Sequence, residues 1–300
     1  MRVAVTGSTG FIGSALLPAL EQAGHEVIGL RRGDGPPPTW DPEGGVIDTA
    51  ALTGVDAIVH LAGESIGEHR WTPEQKQRIL RSRSAGTDLI ARTAAALDPQ
   101  PSALISASAI GYYGDRGDEE LREDSPPGDN FLSEVVQAWE AATAPAASAG
   151  VRVVSLRTGI VLARKGGALG RMLLPFRLGL GGRFASGRQW MSWISLDDVV
   201  GGYLHALSNS ALNGPVNLTA PNPVSNEEFT KTLGSVLHRP TVLPTPLFPL
   251  KVAYGPELVQ QLLVDGQRVV PEKLTASGYR FAHPGLEAAL RAVLDKPAAA

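Results

Sequence analysis

Three glycines spaced three apart, Gly7, Gly10 and Gly13, lie in TGSTGFIG between a short apolar run, RVAVT, and a helical pattern carrying Ile12, Leu16, Leu17 and Leu20. Each suits phosphate chemistry in a different way. Gly7 supplies a tight turn, Gly10 lets backbone approach a pyrophosphate, and Gly13 brings helix against strand. The start of the helix then offers unpaired N–H groups and a positive dipole end. Such a pattern alone is weak, but its place after a strand and before a helix favours a dinucleotide site over an ordinary glycine-rich turn. Arg31 and Arg32 follow the second apolar run, HEVIGL. An acid there bonds a ribose 2′-hydroxyl, whereas an arginine receives a 2′-phosphate. Asp34, the rival acid, falls in the following loop, so the pair favours NADP(H) as cofactor.

Other chemistry is excluded by composition. The 300 residues contain no cysteine, which removes thiolate nucleophiles, disulfides and Cys-ligated metals. Six histidines are scattered without HxxxH or HExxH spacing, so no metal site is expected. The 27 basic and 30 acidic residues leave a formal charge of −3, too balanced for a nucleic-acid partner. MRVAVTGSTG reaches glycine before a signal peptide can form, and no run of about 18 apolar residues follows. A cytoplasmic protein with no membrane partner and a small-molecule substrate is expected.

Elements that position these residues alternate along the chain. After HEVIGL, the Pro-rich GDGPPPTWDPEGG interrupts regular structure, and DAIVHLA (56–62) reads as a strand buried on both faces. The spacing predicts a long helix from a Thr72-Pro73 cap through Leu97, a strand at SALISAS (102–108), a helix in FLSEVVQAWEAATAPAASAG, and a strand at VRVVSLR (151–157). This is the rhythm of a doubly wound parallel sheet in an α/β protein. Beyond about residue 165 it loosens into a smaller lobe, although the helical LDDVVGGYLHAL (196–207) is placed to pack back on the sheet. Met172, Leu173, Leu174, Phe176 and Leu178 read as a core or lid helix with Arg171 and Arg177 on its wet side. The terminal KPAAA reads as a frayed tail.

TGSTGFIG, HLAGESI (60–66), SASAIGYYG (106–114), FLSEVVQAWE (131–140), LLPFRLGLGG (173–182), SGRQWMSWISLDD (186–198) and GQRVVPEKL (266–274) together span the chain. They make it resemble the extended short-chain dehydrogenase/reductases. The similarity is greatest to an atypical, nucleoside-diphosphate-sugar epimerase-like "epimerase family" subgroup with a C-terminal module of unknown function. The resemblance implies a Rossmann domain over residues 1–165, its sheet completed by about 196–219, and a smaller α+β substrate lobe over 166–300 with the module at 248–295. It also implies cofactor contacts at Thr9, Phe11, Ile12, Leu61, Ala62, Gly63, Ser106 and Thr158. Arg83 falls where many members have a cofactor-facing Asn; its other reading is a solvent-facing helix arginine. Ser108 matches the catalytic serine; its other reading is a strand-end serine bonding its own backbone.

One departure concerns the proton path. Members of the parent family use a Tyr with a Lys four residues later, the ammonium favouring the phenolate. None of Tyr112, Tyr113, Tyr203, Tyr254 and Tyr279 has a Lys at that spacing. Two substitutes offer themselves. Tyr112 or Tyr113 follows Ser108 closely enough to reach a nicotinamide or to pack over a helix, and Glu134 projects from the helix that usually carries the pair. Arg188, Gln189, Trp190 and Trp193 fall in the segment that lines the substrate cleft of relatives, where stacking and bidentate bonding suit an aromatic, nucleotide or anionic substrate. The two tryptophans read equally as glue between lobes, Trp139 and Glu140 as packing and capping groups. The segment from about Phe248 to Leu294 covers the cleft or forms a homodimer contact. Three functions stand: an NADP(H)-dependent oxidoreductase or epimerase, a non-catalytic NADP(H)-binding sensor or scaffold, and a nucleotide-sugar epimerase.

Overall fold

The computed structural model describes residues 1–33 and 38–295. Asp34 and the KPAAA tail lie outside the described residues. In chain order the first half comprises β1 (Arg2–Thr6), α1 (Gly13–Gln22), β2 (Glu26–Arg32), β3 (Thr39–Asp41), β4 (Val46–Ile47), β5 (Ala57–His60), α2 (Pro73–Ala96), β6 (Ala103–Ala109), β7 (Glu120–Leu121), α3 (Phe131–Ala141), α4 (Ala144–Ser148) and β8 (Arg152–Thr158). The second half adds β9 (Ile160–Leu162), α5 (Gly167–Arg177), β10 (Trp190–Met191), β11 (Trp193–Ser195), α6 (Leu196–Ser208), β12 (Gly214–Leu218), β13 (Val224–Ser225), α7 (Asn226–Leu237), α8 (Leu247–Tyr254), α9 (Pro256–Val259), β14 (Arg268–Val269), α10 (Glu272–Ala276) and α11 (Leu286–Val293).

Eight strands form one Rossmann-type sheet in the order β12-β8-β6-β5-β1-β2-β3-β4, parallel throughout except for the last pair. From β1 the chain builds outward through β2 and β3, then returns to add β5, β6, β8 and β12 on the other side. The reversal opens a crevice beyond the ends of β1 and β5, the usual ligand position in such sheets. Period-two alternation sends Val3 and Val5 into a core with α1 and α6, and Ala4 into one beneath α2 and α4. A third core around Leu173, Phe176, Trp193 and Phe229 fills the second lobe.

Three sequence expectations are corrected. Residues 38–47 carry β3 and β4, and Trp40 is buried in one core with Ile58 and Ile90, so a large aromatic anchors a segment that its prolines were expected to leave irregular. β2 extends through Arg31 and Arg32, which pair with Thr39 and Trp40. The stretch after Phe131 forms two helices, because Pro145 starts α4 anew.

Capping follows residue type. Thr72 accepts from Gln75 N at the start of α2, and Asn130 from Ser133 N at α3. Ser195 caps α6 in the same way. Asp198 in the first turn of α6 is fully buried and accepts from Ser195 Oγ at 2.7 Å, Ala282 N at 2.7 Å, His283 N at 3.0 Å and Tyr279 Oη at 3.1 Å. One carboxylate therefore fastens the C-terminal segment to a helix that packs on the sheet.

Candidate functional site

A cleft of about 410 Å³ opens where β1 and β2 end. It is lined by Gly7, Thr9, Gly10, Arg31, Arg32, Leu61, Ala62 and Gly63, all anticipated from sequence, and by Ser8, Leu30, Trp40, Pro42 and Ser82, which were not. The glycines are required sterically. Gly7 has φ +67°, and a Cβ there would stand 2.9 Å from Ala62 N. A Cβ on Gly13 would stand 2.2 Å from Gly7 O. Gly10 N donates to Gly7 O at 2.9 Å, which closes the turn. No side chain caps α1, so the helix start carries no built-in anion; Ser14 N and Ala15 N donate to Gly10 O and Ile12 O within the turn.

At the outer end Arg31 and Arg32 are both exposed. Arg32 Nη2 donates to Glu43 Oε1 at 2.6 Å. Beneath the cleft His60 is fully buried, with Nδ1 2.7 Å from Thr6 Oγ1 and its ring edge-on to Trp40. Burial pushes its pKa down to about 4, so the imidazole is neutral at pH 7. Arg83 is half-buried: it donates to Glu64 O at 2.9 Å, lies against Gly63, and stacks over Trp139 at 4.9 Å. Burial lowers its pKa to about 10, partly offset by Glu64.

A second polar cluster occupies the end of β6. Ser108 is 4 % exposed, and its Oγ donates to Glu140 Oε1 at 2.6 Å. Glu140 in turn receives both Nε and Nη2 of Arg157, at 2.8 and 2.7 Å. Arg157 Nη1 donates to Tyr113 Oη at 3.0 Å, and Tyr113 Oη to Asn217 Oδ1 at 2.7 Å. Burial works against the Arg157 charge, but the bidentate carboxylate outweighs it and holds the pKa above the ordinary range. Tyr112 stacks on the same guanidinium at 3.4 Å. Glu123 closes the cluster by accepting from the backbone N–H groups of Asn217 and Lys273, each at 3.1 Å.

This geometry corrects several sequence assignments. Tyr113 is fully buried and its hydroxyl is engaged on both sides; burial raises its pKa to about 12 despite Arg157, the wrong direction for a base. Tyr112 is half-buried and lays its ring on Arg157. Glu134 is exposed on the outer face of α3, because Leu132, Val135 and Val136 take the inner one. Phe11 packs on Gly166 and Gly167, and Ile12 on the α1 core, outside the cleft lining. Ser106 and Thr158 donate to nearby backbone carbonyls, at 3.1 Å each. Trp193 is fully buried, its Nε1 donating to Asn222 O, so it belongs to the second-lobe core. Gln189 donates to Phe184 O and Leu263 O, Trp190 to Asp118, and Arg188 is exposed. Glu140, assigned to capping, proved to be the partner of Ser108; a carboxylate one residue before the end of α3 and an arginine next to the end of β8 were its only signal.

Residues 3–218 match the NAD dependent epimerase/dehydratase family, and residues 245–293 match a domain of unknown function, DUF1731. Epimerase family protein ML0860 of Mycobacterium leprae is 42% identical over 298 residues, covering 98% of this chain and 96% of that protein. Human epimerase family protein SDR39U1 is 40% identical, covering 98% and 100%. A crystal structure of the human protein (isoform 2) with NADPH superposes with a TM-score of 0.90 at 38% identity, covering 98% of this chain and 99% of that one.

Proposed function

We propose, from the premise that this chain belongs to the NAD dependent epimerase/dehydratase family, that it binds NADP(H) in the Gly7–Arg32 cleft and acts as an oxidoreductase on a small polar substrate. The observation that carries the reading is the pairing of ends within one cleft: an uncapped helix over a glycine turn at one, two exposed arginines at the other. The NADPH bound by the human relative supports it. When bound, the cofactor gives or takes a hydride. The backbone of the Gly7–Gly13 turn at the head of α1 holds the pyrophosphate, and Arg31 and Arg32 receive the 2′-phosphate. Ser108 has its own proton committed to Glu140, so its oxygen accepts a hydrogen bond from a substrate hydroxyl.

A titration followed by tryptophan fluorescence tests the cofactor, with NADPH expected to bind more tightly than NADH; equal affinities would refute this use of the arginines. A metabolite screen with NADP⁺ and NADPH tests the chemistry, and turnover should fall on Ser108→Ala. A second reading, a non-catalytic NADP(H)-binding sensor, draws on the sealed state of Tyr113 and the outward Glu134. It gains if NADPH binds tightly and no metabolite is converted, and Ser108-dependent turnover eliminates it.

A further inference from the structure

The second lobe carries a face unlike the remaining surface. α5 buries Leu169, Leu173 and Phe176 but turns Leu174 and Leu178 outward, so of the core or lid helix read from sequence only part of the apolar set joins the core. Leu180, Val242, Leu243 and Phe248 continue the patch, and each of these six is at least 64% exposed. The segments adjoin one another: Arg239 Nε donates to Arg177 O at 2.8 Å, Thr245 N to Arg183 O at 2.9 Å, and a Cβ on Gly179 would stand 3.7 Å from Pro240. α8, with sequence LFPLKVAY, has no buried residue. Single exposed leucines are ordinary, whereas an adjoining set marks an interaction site.

Charge tells what covers it. Residues 163–196 and 239–256 contain no Asp or Glu in a chain of net charge −3. Within them Arg164 pairs with Asp295 and Arg183 lies near Glu227, whereas Arg171, Arg177, Arg239 and Lys251 make no ion pair among the described residues. A second copy seated by two-fold symmetry would set these cations against themselves. A nucleic acid would satisfy the charge and leave the leucines wet. No helix among the described residues is long and apolar enough to cross a membrane. We infer that α5, the 239–245 strap and α8 form a peripheral docking face for an anionic lipid bilayer, with the leucines and Phe248 at the acyl boundary and the cations on the headgroups. The expectation of no membrane partner is thereby revised. Arg171 donates to Gly67 O, so the face adjoins the loop that leaves the cofactor cleft at Gly63.

Co-sedimentation of the full chain with sucrose-loaded vesicles tests this, comparing phosphatidylcholine alone with phosphatidylcholine containing phosphatidylglycerol. Binding is expected only to the anionic vesicles and should weaken in high salt. Leu178→Asp with Leu243→Asp should abolish it, and Arg177→Gln with Arg239→Gln should weaken it about 25-fold, at roughly fivefold per cation. These side chains are exposed, and unchanged circular dichroism and NADPH affinity verify the fold. Absence of binding, equal binding to neutral vesicles, or undiminished binding by the Asp double variant overturns the inference. So does a concentration-dependent dimer that the Asp variant dissociates, which would give the face to a second copy.

Discussion

The cofactor cleft and the Ser108 cluster lie at the same edge of the same sheet and treat their polar groups in opposite ways. In the cleft, α1 starts without a side-chain cap and Arg31 lies exposed. In the cluster, Ser108, Glu140, Arg157, Tyr113 and Asn217 satisfy one another in an unbroken chain. Unpaired donors at an exposed edge cost little in water and await a ligand; buried polar groups must be paired within the fold. The difference separates an edge left open to a ligand from a polar network closed within the fold.

Arg157→Met attacks the cluster directly and should have the largest effect. It strands the Glu140 carboxylate, whose partner is 3% exposed, at a cost of about 3–5 kcal/mol in urea unfolding. NADPH affinity of the folded fraction should stay within about twofold, since the cleft does not share these groups. An unchanged midpoint would break the contrast. Gly13→Ala attacks the cleft. Alanine is worth about 1 kcal/mol more than glycine inside a helix, so helix propensity alone predicts stabilisation. The 2.2 Å approach to Gly7 O predicts instead a displaced turn and about 100-fold weaker NADPH binding. Wild-type affinity in that variant would show that the turn does not shape the site.

His60 links the cleft floor to pH. Its folded-state pKa of about 4 lies below the unfolded 6.5, so its contribution is complete above pH 6.5 and is lost as pH falls toward 4. Between pH 7 and pH 5 this group should account for about 2 kcal/mol of lost stability. His60→Leu should flatten the dependence by that amount in paired urea titrations, and an unaltered slope would place the acid sensitivity elsewhere. The smallest effect belongs to Arg32→Ala. NADPH binding should weaken about tenfold with NADH little changed, because the guanidinium is exposed and already shared with Glu43. A matching loss for NADH would mean that Arg32 supports the cleft wall rather than the 2′-phosphate.

The same contrast explains what could be read from residues alone. The glycine turn was legible because its backbone geometry admits few other side chains, and α2 because Thr72-Pro73 and Gln75 form a local cap. Trp40 was hidden: strands of three and two residues have no periodicity, and their flanking prolines read as breakers. Glu140 and Arg157 were hidden for a different reason. They meet from a helix and a strand 17 residues apart, and neither neighbourhood announces a partner. Trp190 and Trp193 looked equivalent in SGRQWMSWIS, yet only the fold assigns one to a half-exposed contact with Asp118 and the other to a core.

Asp198 has a consequence for the making of the protein. A ribosome delivers Asp198 81 residues before Tyr279, yet the carboxylate at the head of α6 depends on residues 279–283 for three of its partners. During synthesis the edge strand β12 can dock while this acid still lacks them, and the final fastening waits for residues 279–283. A nascent chain halted before residue 279 therefore holds α6 with a buried carboxylate three partners short, a fault seated in the helix that packs on the sheet rather than at the point of truncation.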